Sequence, residues 1–287
     1  MKILGAQLAR MAVLVILAAL GSAVLVRFSP GAMVDERELD PRLSAATVEA
    51  MRAQRVAENS LGAGFGRYLW RALQGDLGRS QSNNAPIAEL IGNNATATVR
   101  RLGVGLAGAW VLGLVLAIPV AALRRAWVLD SATGFFTGLL LSLPAGVVAF
   151  LCLTFGAPVE VVLMLVLTPR IFRYARNILA QAYGAPSIDM ARARGIGEGR
   201  ILSAYVFRGA APQLFALLAT SLSLAIGSII PIEAICDAAG LGRLAWQAAT
   251  ARDLPLLLNL TMLIALATTA AMTLAELFAQ RRLEVAQ

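Results

Sequence analysis

Long uncharged stretches alternate with short charged ones along most of the chain. The uncharged blocks cover residues 11–26, 102–123, 131–158, 213–232 and 254–275. Each approaches or exceeds the roughly 18 apolar residues that read as a membrane-crossing helix. The block 131–158 is too long for one helix without a break, and the turn-forming residues 155–158 supply that break. A further apolar segment begins at Val159, so the pattern predicts an all-α, polytopic membrane protein with six transmembrane helices.

Two of these spans depart from the simple pattern. The fourth is short before Arg170, Arg173 and Arg176 follow at helical spacing, and we expect these arginines to snorkel to an interface. The first resembles a signal peptide in its charged start, but residues 24–29 offer no small-residue cleavage site. We therefore favour an uncleaved first span over a cleaved leader.

The arginines orient the spans. Short loops on the cytoplasmic side of a membrane carry an excess of Lys and Arg. With six spans and both termini inside, the cytoplasmic side carries Lys2 and twelve arginines against few acids, whereas basic and acidic residues nearly cancel in the outer segment 31–100. The sequence thus predicts an N-terminal helix in 1–30, an extracytoplasmic segment of short helices in 31–100, and a five-helix core in 101–287.

The composition agrees with a membrane protein and argues against several kinds of catalytic and ATP-binding site. The chain is 58% hydrophobic and 15% charged, with a mean hydropathy of +0.71, whereas soluble domains are about 25% charged. There is no histidine and no GxxxxGK[ST] loop, so neither the commonest general base nor the usual ATP-binding loop is present. Two cysteines form no disulfide framework or metal spacing. We predict no cofactor, no metal, no catalytic residue and no nucleic-acid partner.

A basic, glycine-punctuated cytoplasmic loop of residues 177–212 interrupts the apolar pattern. Asp189 can cap a short helix that ends at Gly195, and Gly197 and Gly199 keep the turn open. A second helical segment, 199–209, would place Ile201, Leu202, Tyr205 and Val206 on one face before Pro212 opens the fifth span. A short helix, a glycine elbow and a second helix beneath a membrane suit the docking of a cytoplasmic partner.

This loop carries a resemblance to a known family. Residues 191–195 read A-R-A-R-G, followed by a basic helix and Pro212, and residues 173–176 read R-Y-A-R. Both are similar to motifs of the inner-membrane permease subunits of binding-protein-dependent ABC importers, of the dipeptide, oligopeptide and nickel type. G-D-L-G-R-S at 75–80, Glu233 with G-L-G at 240–242, and R-D-L-P at 252–255 also resemble that family, in its order. Ala239 and Cys236 depart from it, where a proline and an aromatic residue are usual.

The resemblance implies a type I ABC importer transmembrane fold and a division of labour. The chain would form half of a translocation path, with a second homologous permease subunit as the other half. Two ABC ATPase subunits would dock on the coupling loop, and an extracytoplasmic substrate-binding protein would deliver peptides or similar small solutes. The residues that the resemblance assigns to coupling are Asp189, Ala191, Arg192, Ala193, Arg194, Gly195, Glu198 and Arg200. Those that it assigns to an external gate are Glu233, Asp237, Gly240 and Gly242.

Simpler interpretations remain open for several of these residues. The arginines could serve only as topology markers, Glu233 and Asp237 could be solvated loop acids, and residues 240–242 could form an ordinary turn. The main alternative function is a secondary transporter or channel that works without an ATPase. Such proteins place ionisable residues inside their spans, and the second, third and fifth spans have none. A membrane enzyme would need a nucleophile–base pair or clustered acids, and the sequence offers neither.

Overall fold

A computed structural model describes residues 2–28, 70–71, 74–123 and 127–283. Nearly all of these residues are helical, and the described part of the chain contains no strand beyond a single bridge between Arg79 and Pro86. The helices, numbered along the chain, are α1 (Lys2–Phe28), α2 (Ile87–Ala122), α3 (Trp127–Ser142), α4 (Ala145–Thr154), α5 (Val159–Tyr183), α6 (Pro186–Ala193), α7 (Glu198–Ile235), α8 (Leu241–Thr250) and α9 (Leu254–Leu283). The all-α prediction is confirmed.

Among the described residues, three helices are long and apolar enough to cross a membrane: α2, α7 and the part of α9 from Leu254 to Leu274. The helices α3 and α4, which are bent by 93° relative to each other, are together long and apolar enough for a fourth crossing if the pair forms one broken span. The apolar part of α1 is the shorter stretch Ala9–Ser22. The first, third and fourth of the six expected spans therefore stay predictions, as does the cytoplasmic position of both termini.

Several element boundaries differ from the sequence expectation. The helix α2 starts at Ile87 rather than near residue 102, because the polar residues 87–101 continue the helix beyond its apolar part. The block 131–158 breaks between Thr154 and Val159 as expected, but it also breaks at Leu143–Pro144. The second break was not expected. It occurs because a proline restricts the residue before it to extended backbone. The short helices expected between residues 31 and 69 lie outside the described residues.

Contacts divide the chain into two compact units, of which the first comprises residues 1–11, 94–244 and 266–287. Within the part of this unit that the structure describes, the buried side chains form two clusters, and α5 contributes to both of them. One cluster joins Leu163 and Ile171 of α5 to Ile229 of α7, whereas the other joins Leu179 of α5 to Ile188 of α6. The helix α5 is therefore the central packing element of this unit.

Glycines let α2 and α5 approach closely within this unit. A Cβ atom at Gly105 would lie 2.9 Å from a methyl group of Leu163, and one at Gly113 would lie 2.9 Å from a methyl group of Ile171. Because the contacts advance along both helices in the same direction, α2 and α5 run parallel. Small residues at a helix interface permit such packing in membranes.

The second unit comprises residues 12–93 and 245–265. Ala19 of α1 packs on Leu258 of α9, and both side chains are buried. The polar segment before α2 is organised by backbone hydrogen bonds, from Ser80 N–H to Ala85 O at 2.9 Å and from Ile87 N–H to Gly78 O at 3.1 Å. The segment thus forms a closed loop rather than a further helix.

Candidate functional site

The helix α6 forms the first arm of the expected elbow, and its two faces differ. Ile188 and Ala191 are 0% and 2% exposed and pack into the first unit, whereas Asp189 and Met190 are exposed. The N-cap is Ala185, without a side-chain hydrogen bond, and Pro186 follows it at the first helical position. The expectation that Asp189 caps this helix is wrong, because Pro186 already fits the first helical turn.

The elbow itself is a Schellman motif at the end of α6. The Ile196 N–H donates to Ala191 O at 3.1 Å, and the Gly195 N–H donates to Arg192 O at 2.9 Å. Gly195 has a φ of +75°, and a Cβ atom there would meet nothing within 4 Å. Glycine is favoured here because of the left-handed backbone. Lack of space is not the reason, because a side chain at this position would meet no other atom of the described residues.

An ion pair spans the elbow. Arg192 Nε donates to Glu198 Oε1 at 2.8 Å, and Arg192 Nη2 donates to Glu198 Oε2 at 3.3 Å. Asp189 Oδ1 lies 4.0 Å from Arg192 Nη1. The hydrogen bonds to Glu198 raise the pKa of Arg192 above its ordinary value. The arrangement is bidentate, the geometry in which arginine binds a carboxylate most selectively, so this pair restricts the bend between α6 and α7.

The second arm of the elbow is not a separate helix. Glu198 begins α7, which continues through a π-helical turn at Leu202–Val206 into the long apolar helix. Pro212 therefore lies inside α7 rather than at the entry to a span. Of the residues expected on one face, Ile201 and Val206 are buried, whereas Tyr205 is 37% exposed. Movement of the elbow would consequently act directly on the membrane-crossing part of α7.

The exposed side of the elbow carries a shallow depression, which is lined by Ser187, Met190, Ala191, Arg194 and Tyr205. Met190 is 60% exposed, and an unbranched thioether adapts well to a partner surface. Arg194 and Arg200 are also exposed, as are Ala193 and Gly199. All residues expected for coupling are therefore neighbours on one elbow.

The opposite end of α7 contains a buried charged cluster. Glu233 is 0% exposed and accepts hydrogen bonds from Thr98 Oγ1 at 2.9 Å, Arg101 Nη1 at 3.0 Å and the Gly242 N–H at 2.9 Å. Arg101 also donates to Ala239 O at 2.5 Å, and Thr98 Oγ1 accepts from the Leu241 N–H at 2.8 Å. Since these partners satisfy the carboxylate, Glu233 ties α2 to the segment after α7.

Two glycines permit this approach. A Cβ atom at Gly240 would overlap the Glu233 carboxylate, and one at Gly242 would overlap the backbone of Ile230. The G-L-G spacing thus has a packing reason beyond an ordinary turn. Thr98 and Arg101 were missed as site residues, although a threonine and an arginine one helical turn apart before an apolar block were visible in the sequence.

The four residues expected at the external gate separate into two kinds. Glu233, Gly240 and Gly242 are buried, whereas the Asp237 side chain is 78% exposed. Arg243 Nε lies 2.7 Å from Asp237 Oδ1, an ion pair whose angles are not those of a hydrogen bond. Asp237 has a φ of +47°. It is therefore a solvated turn residue, whereas Glu233 is a structural anchor.

In the second unit, a buried aspartate joins two sequence motifs that lie far apart in the chain. Asp253 is 1% exposed, and its Oδ2 accepts from Ser80 Oγ at 2.5 Å and from the Ser82 N–H at 3.0 Å. Its Oδ1 accepts from the Leu256 N–H at 3.1 Å, so Asp253 caps α9. Asn259 Nδ2 adds a bond to Leu77 O at 3.0 Å. The motifs at 75–80 and 252–255 thus form one structure, although neither was expected to contact the other.

Helices of membrane-crossing length, with a charged anchor at one end of α7 and a polar elbow at the other, define an α-helical integral membrane protein. The family model for the inner membrane component of binding-protein-dependent transport systems matches residues 111–284. The chain belongs to this family. It is a permease component of the inner membrane and not itself an enzyme.

Individual relatives support the same family. A protein of Brucella suis biovar 1, named as a peptide permease, is 27% identical over 272 residues, which cover 84% of this chain and 85% of the relative. The glutathione transport system permease protein GsiC of Salmonella paratyphi A is 24% identical over 242 residues, or 76% of each chain. One chain of the inward-facing MetNI methionine ABC transporter shares the fold, with a TM-score of 0.58, 18% identity and coverage of 67% of this chain and 98% of that chain.

Proposed function

We propose that this chain is one of two homologous permease subunits in an ATP-driven importer, with both termini in the cytoplasm and six spans. Together the two subunits enclose the translocation path. The substrate class is peptides or similar small solutes, because relatives along most of the chain are named for peptide and glutathione transport. A substrate-binding protein on the outer side delivers the solute, and two separate ATPase subunits supply the energy.

The elbow is the proposed site of coupling, and one observation carries this proposal. The exposed residues of α6 precede a left-handed glycine, and the next helix, α7, continues without a break into its apolar, membrane-crossing part. A push on the exposed face of α6 would reach α7 through the core contacts of Ile188 and Ile201. ATP-driven closure of the ATPase pair would thereby bias the permease between its inward-open and outward-open states.

Several residues have distinct parts in this proposal. Met190 and Arg194 contact the ATPase through the depression that they line. Arg192 and Glu198 hold the bend by their bidentate pair, and Gly195 permits the left-handed turn. The exposed guanidinium of Arg200 provides a further hydrogen-bonding group. At the far end, the Glu233 cluster holds the segment that carries Asp237 at the external mouth.

Site-directed crosslinking of the assembled transporter tests the proposal. In a variant with Cys152 and Cys236 replaced by serine, Met190→Cys is expected to form a crosslink to the ATPase subunit with a short bifunctional maleimide. Asp237→Cys, at the other end of α7, serves as the matched control and is expected to form none. The proposal fails if Met190→Cys reacts only from the outer side of the membrane, or if the purified chain alone moves solute down an ion gradient.

A further inference from the structure

The helix α5, which is the central packing element of the first unit, has one exposed polar face. This face, called the α5 strip below, consists of Arg170, Arg173, Tyr174, Asn177 and Gln181, which are all exposed and share one side of the helix. The other sides of α5 are buried, at Ile171, Phe172, Ala175 and Leu179 among others. Arg170 and Arg173 form no hydrogen bond or ion pair with any of the described residues.

The depth of these arginines follows from the neighbouring helix. Ile171 packs at Gly113, near the middle of the uncharged stretch 102–123 of α2. A helix rises about 1.5 Å per residue, so the end of that stretch at Leu123 lies about 15 Å farther along the axis. This distance exceeds the reach of an arginine side chain. A membrane interface at the level of Leu123 would thus be out of reach for Arg170.

A second helix supports the same depth. Trp110 Nε1 of α2 donates to Ser221 Oγ of α7 at 2.9 Å. Ser221 lies near the middle of the uncharged stretch 209–232 of α7. The midpoints of both apolar stretches thus lie at the same level, and Arg170 lies within about one or two helical turns of it.

Two unpaired guanidinium groups at this depth cannot face lipid tails, because placing a charge in the hydrocarbon core is costly. Charged side chains within a membrane instead face a water-filled cavity or a protein partner. A protein partner would have to neutralise two adjacent positive charges. A water-filled path leaves them hydrated when it is empty and available when an anion passes. Arginine binds carboxylates in bidentate geometry, and Tyr174 and Asn177 can add neutral hydrogen bonds.

We infer that the α5 strip lines the translocation path and that Arg170 and Arg173 form a transient binding site for the carboxylate of the passing solute. This inference rests on the proposed function, since peptides carry a terminal carboxylate. The site would bind the solute after the substrate-binding protein has released it. It would thus make the permease contribute to substrate selection, independently of the protein that captures the solute.

Solvent access tests the position of the strip without requiring transport. In a background with Cys152 and Cys236 replaced by serine, Arg170→Cys and Arg173→Cys are expected to react with a charged, membrane-impermeant methanethiosulfonate in inverted vesicles that contain the assembled transporter. Leu139→Cys, an exposed apolar residue of α3, is expected to stay unlabelled. If both arginine positions are unlabelled, or crosslink to the second permease subunit, the strip is a protein interface and the inference is overturned.

Carboxylate recognition is tested by uptake of a tripeptide with a free C-terminus against the same tripeptide with an amidated C-terminus, in proteoliposomes containing all subunits. The binding protein is identical in every sample, so a change in the ratio of the two uptake rates reports on the permease. The double variant Arg170→Gln/Arg173→Gln is expected to reduce that ratio by about tenfold, the size of a lost charged hydrogen bond. The double lysine variant should retain most of the preference.

Arg100→Gln is the matched control, because it removes one positive charge from an exposed position outside the strip. It is expected to leave the ratio unchanged. An unchanged ratio in the double glutamine variant would overturn carboxylate binding even if both positions are solvent-accessible. Absence of ATP-dependent uptake by the unmodified transporter, with normal labelling at Arg170→Cys, would instead contradict the proposed function and leave the strip's exposure established.

Discussion

Arg101 Nη1 lies 3.0 Å from Glu233 Oε1 in a buried ion pair between residues that are 132 positions apart. The pair joins α2 to the end of α7, and the same carboxylate receives the N–H group of Gly242. Removing one partner of a buried pair leaves the other charge unpaired, whereas an exposed pair contributes little. The stability of this end of the molecule therefore depends on Glu233.

Glu233→Ala is expected to lower the free energy of unfolding by about 3–5 kcal/mol, because Arg101 and Thr98 lose their buried acceptor. Asp237→Asn is the control, because the Asp237 side chain is 78% exposed and asparagine tolerates the left-handed backbone at this position, so its expected cost is about 0–1 kcal/mol. Denaturant unfolding in mild detergent measures both. Equal losses in the two variants would contradict the structural role of Glu233.

The two glycines after α7 are expected to tolerate no side chain. Gly240→Ala and Gly242→Ala should each destabilise the protein by about 1–3 kcal/mol, because the new methyl group would overlap its neighbours. Gly242→Ala should cost more, since it meets the backbone of Ile230 rather than a side chain. Gly227→Ala meets nothing within 4 Å and should be neutral or stabilising by up to about 1 kcal/mol. Thermal unfolding midpoints rank the three variants, and a reversed order would refute this packing.

Gly195 is expected to be sensitive to backbone conformation rather than to size. Gly195→Val should reduce transport strongly and cost about 1–2 kcal/mol, because a branched residue disfavours the left-handed turn. Gly195→Asn should retain more activity, since asparagine adopts this conformation more readily. Gly197, with a φ of −65°, provides the control Gly197→Ala.

ATP-dependent uptake and membrane insertion of the elbow variants are measured together. We expect normal insertion in all of them, with uptake falling only where the turn is disfavoured. Equal uptake by Gly195→Val and Gly195→Asn would show that the left-handed backbone is not what the elbow requires.

Acid is expected to weaken the second unit through Asp253. Burial raises the pKa of Asp253, but the hydrogen bonds from Ser80, Ser82 and Leu256 together lower it below its ordinary value. The folded protein therefore binds this proton less readily than the unfolded chain. The stabilisation is complete above the unfolded-state pKa of about 3.9 and is lost as the pH falls through the lower folded-state pKa.

Asp253→Asn keeps a cap for α9 but does not titrate. We expect its thermal midpoint to be lower than that of the unmodified protein at neutral pH and to lose less when the buffer is acidified. Thermal unfolding of both proteins across this acidic range gives the comparison. Parallel curves would mean that Asp253 makes no contribution to the acid response.

Much of this protein follows from the hydrophobic pattern alone. Apolar blocks uninterrupted by charge force the backbone into helices, because a membrane offers no water to satisfy N–H and C=O groups. The positions of α2, α7 and α9 follow from this. The left-handed turn at Gly195 was also readable, because a glycine after a helical segment with basic residues is a local signal.

Tertiary structure decided everything that depends on meeting a distant residue. Nothing local shows that Glu233 is buried beneath Arg101, that Asp253 joins the loop of Ser80 to α9, or that Arg170 lies level with the middle of the uncharged stretch of α2. A charged residue looks the same in sequence whether water, a partner side chain or a translocation path satisfies it. Only the packing of the helices against one another determines which of these holds, because the cost of a buried charge depends on its surroundings and not on its neighbours in the chain.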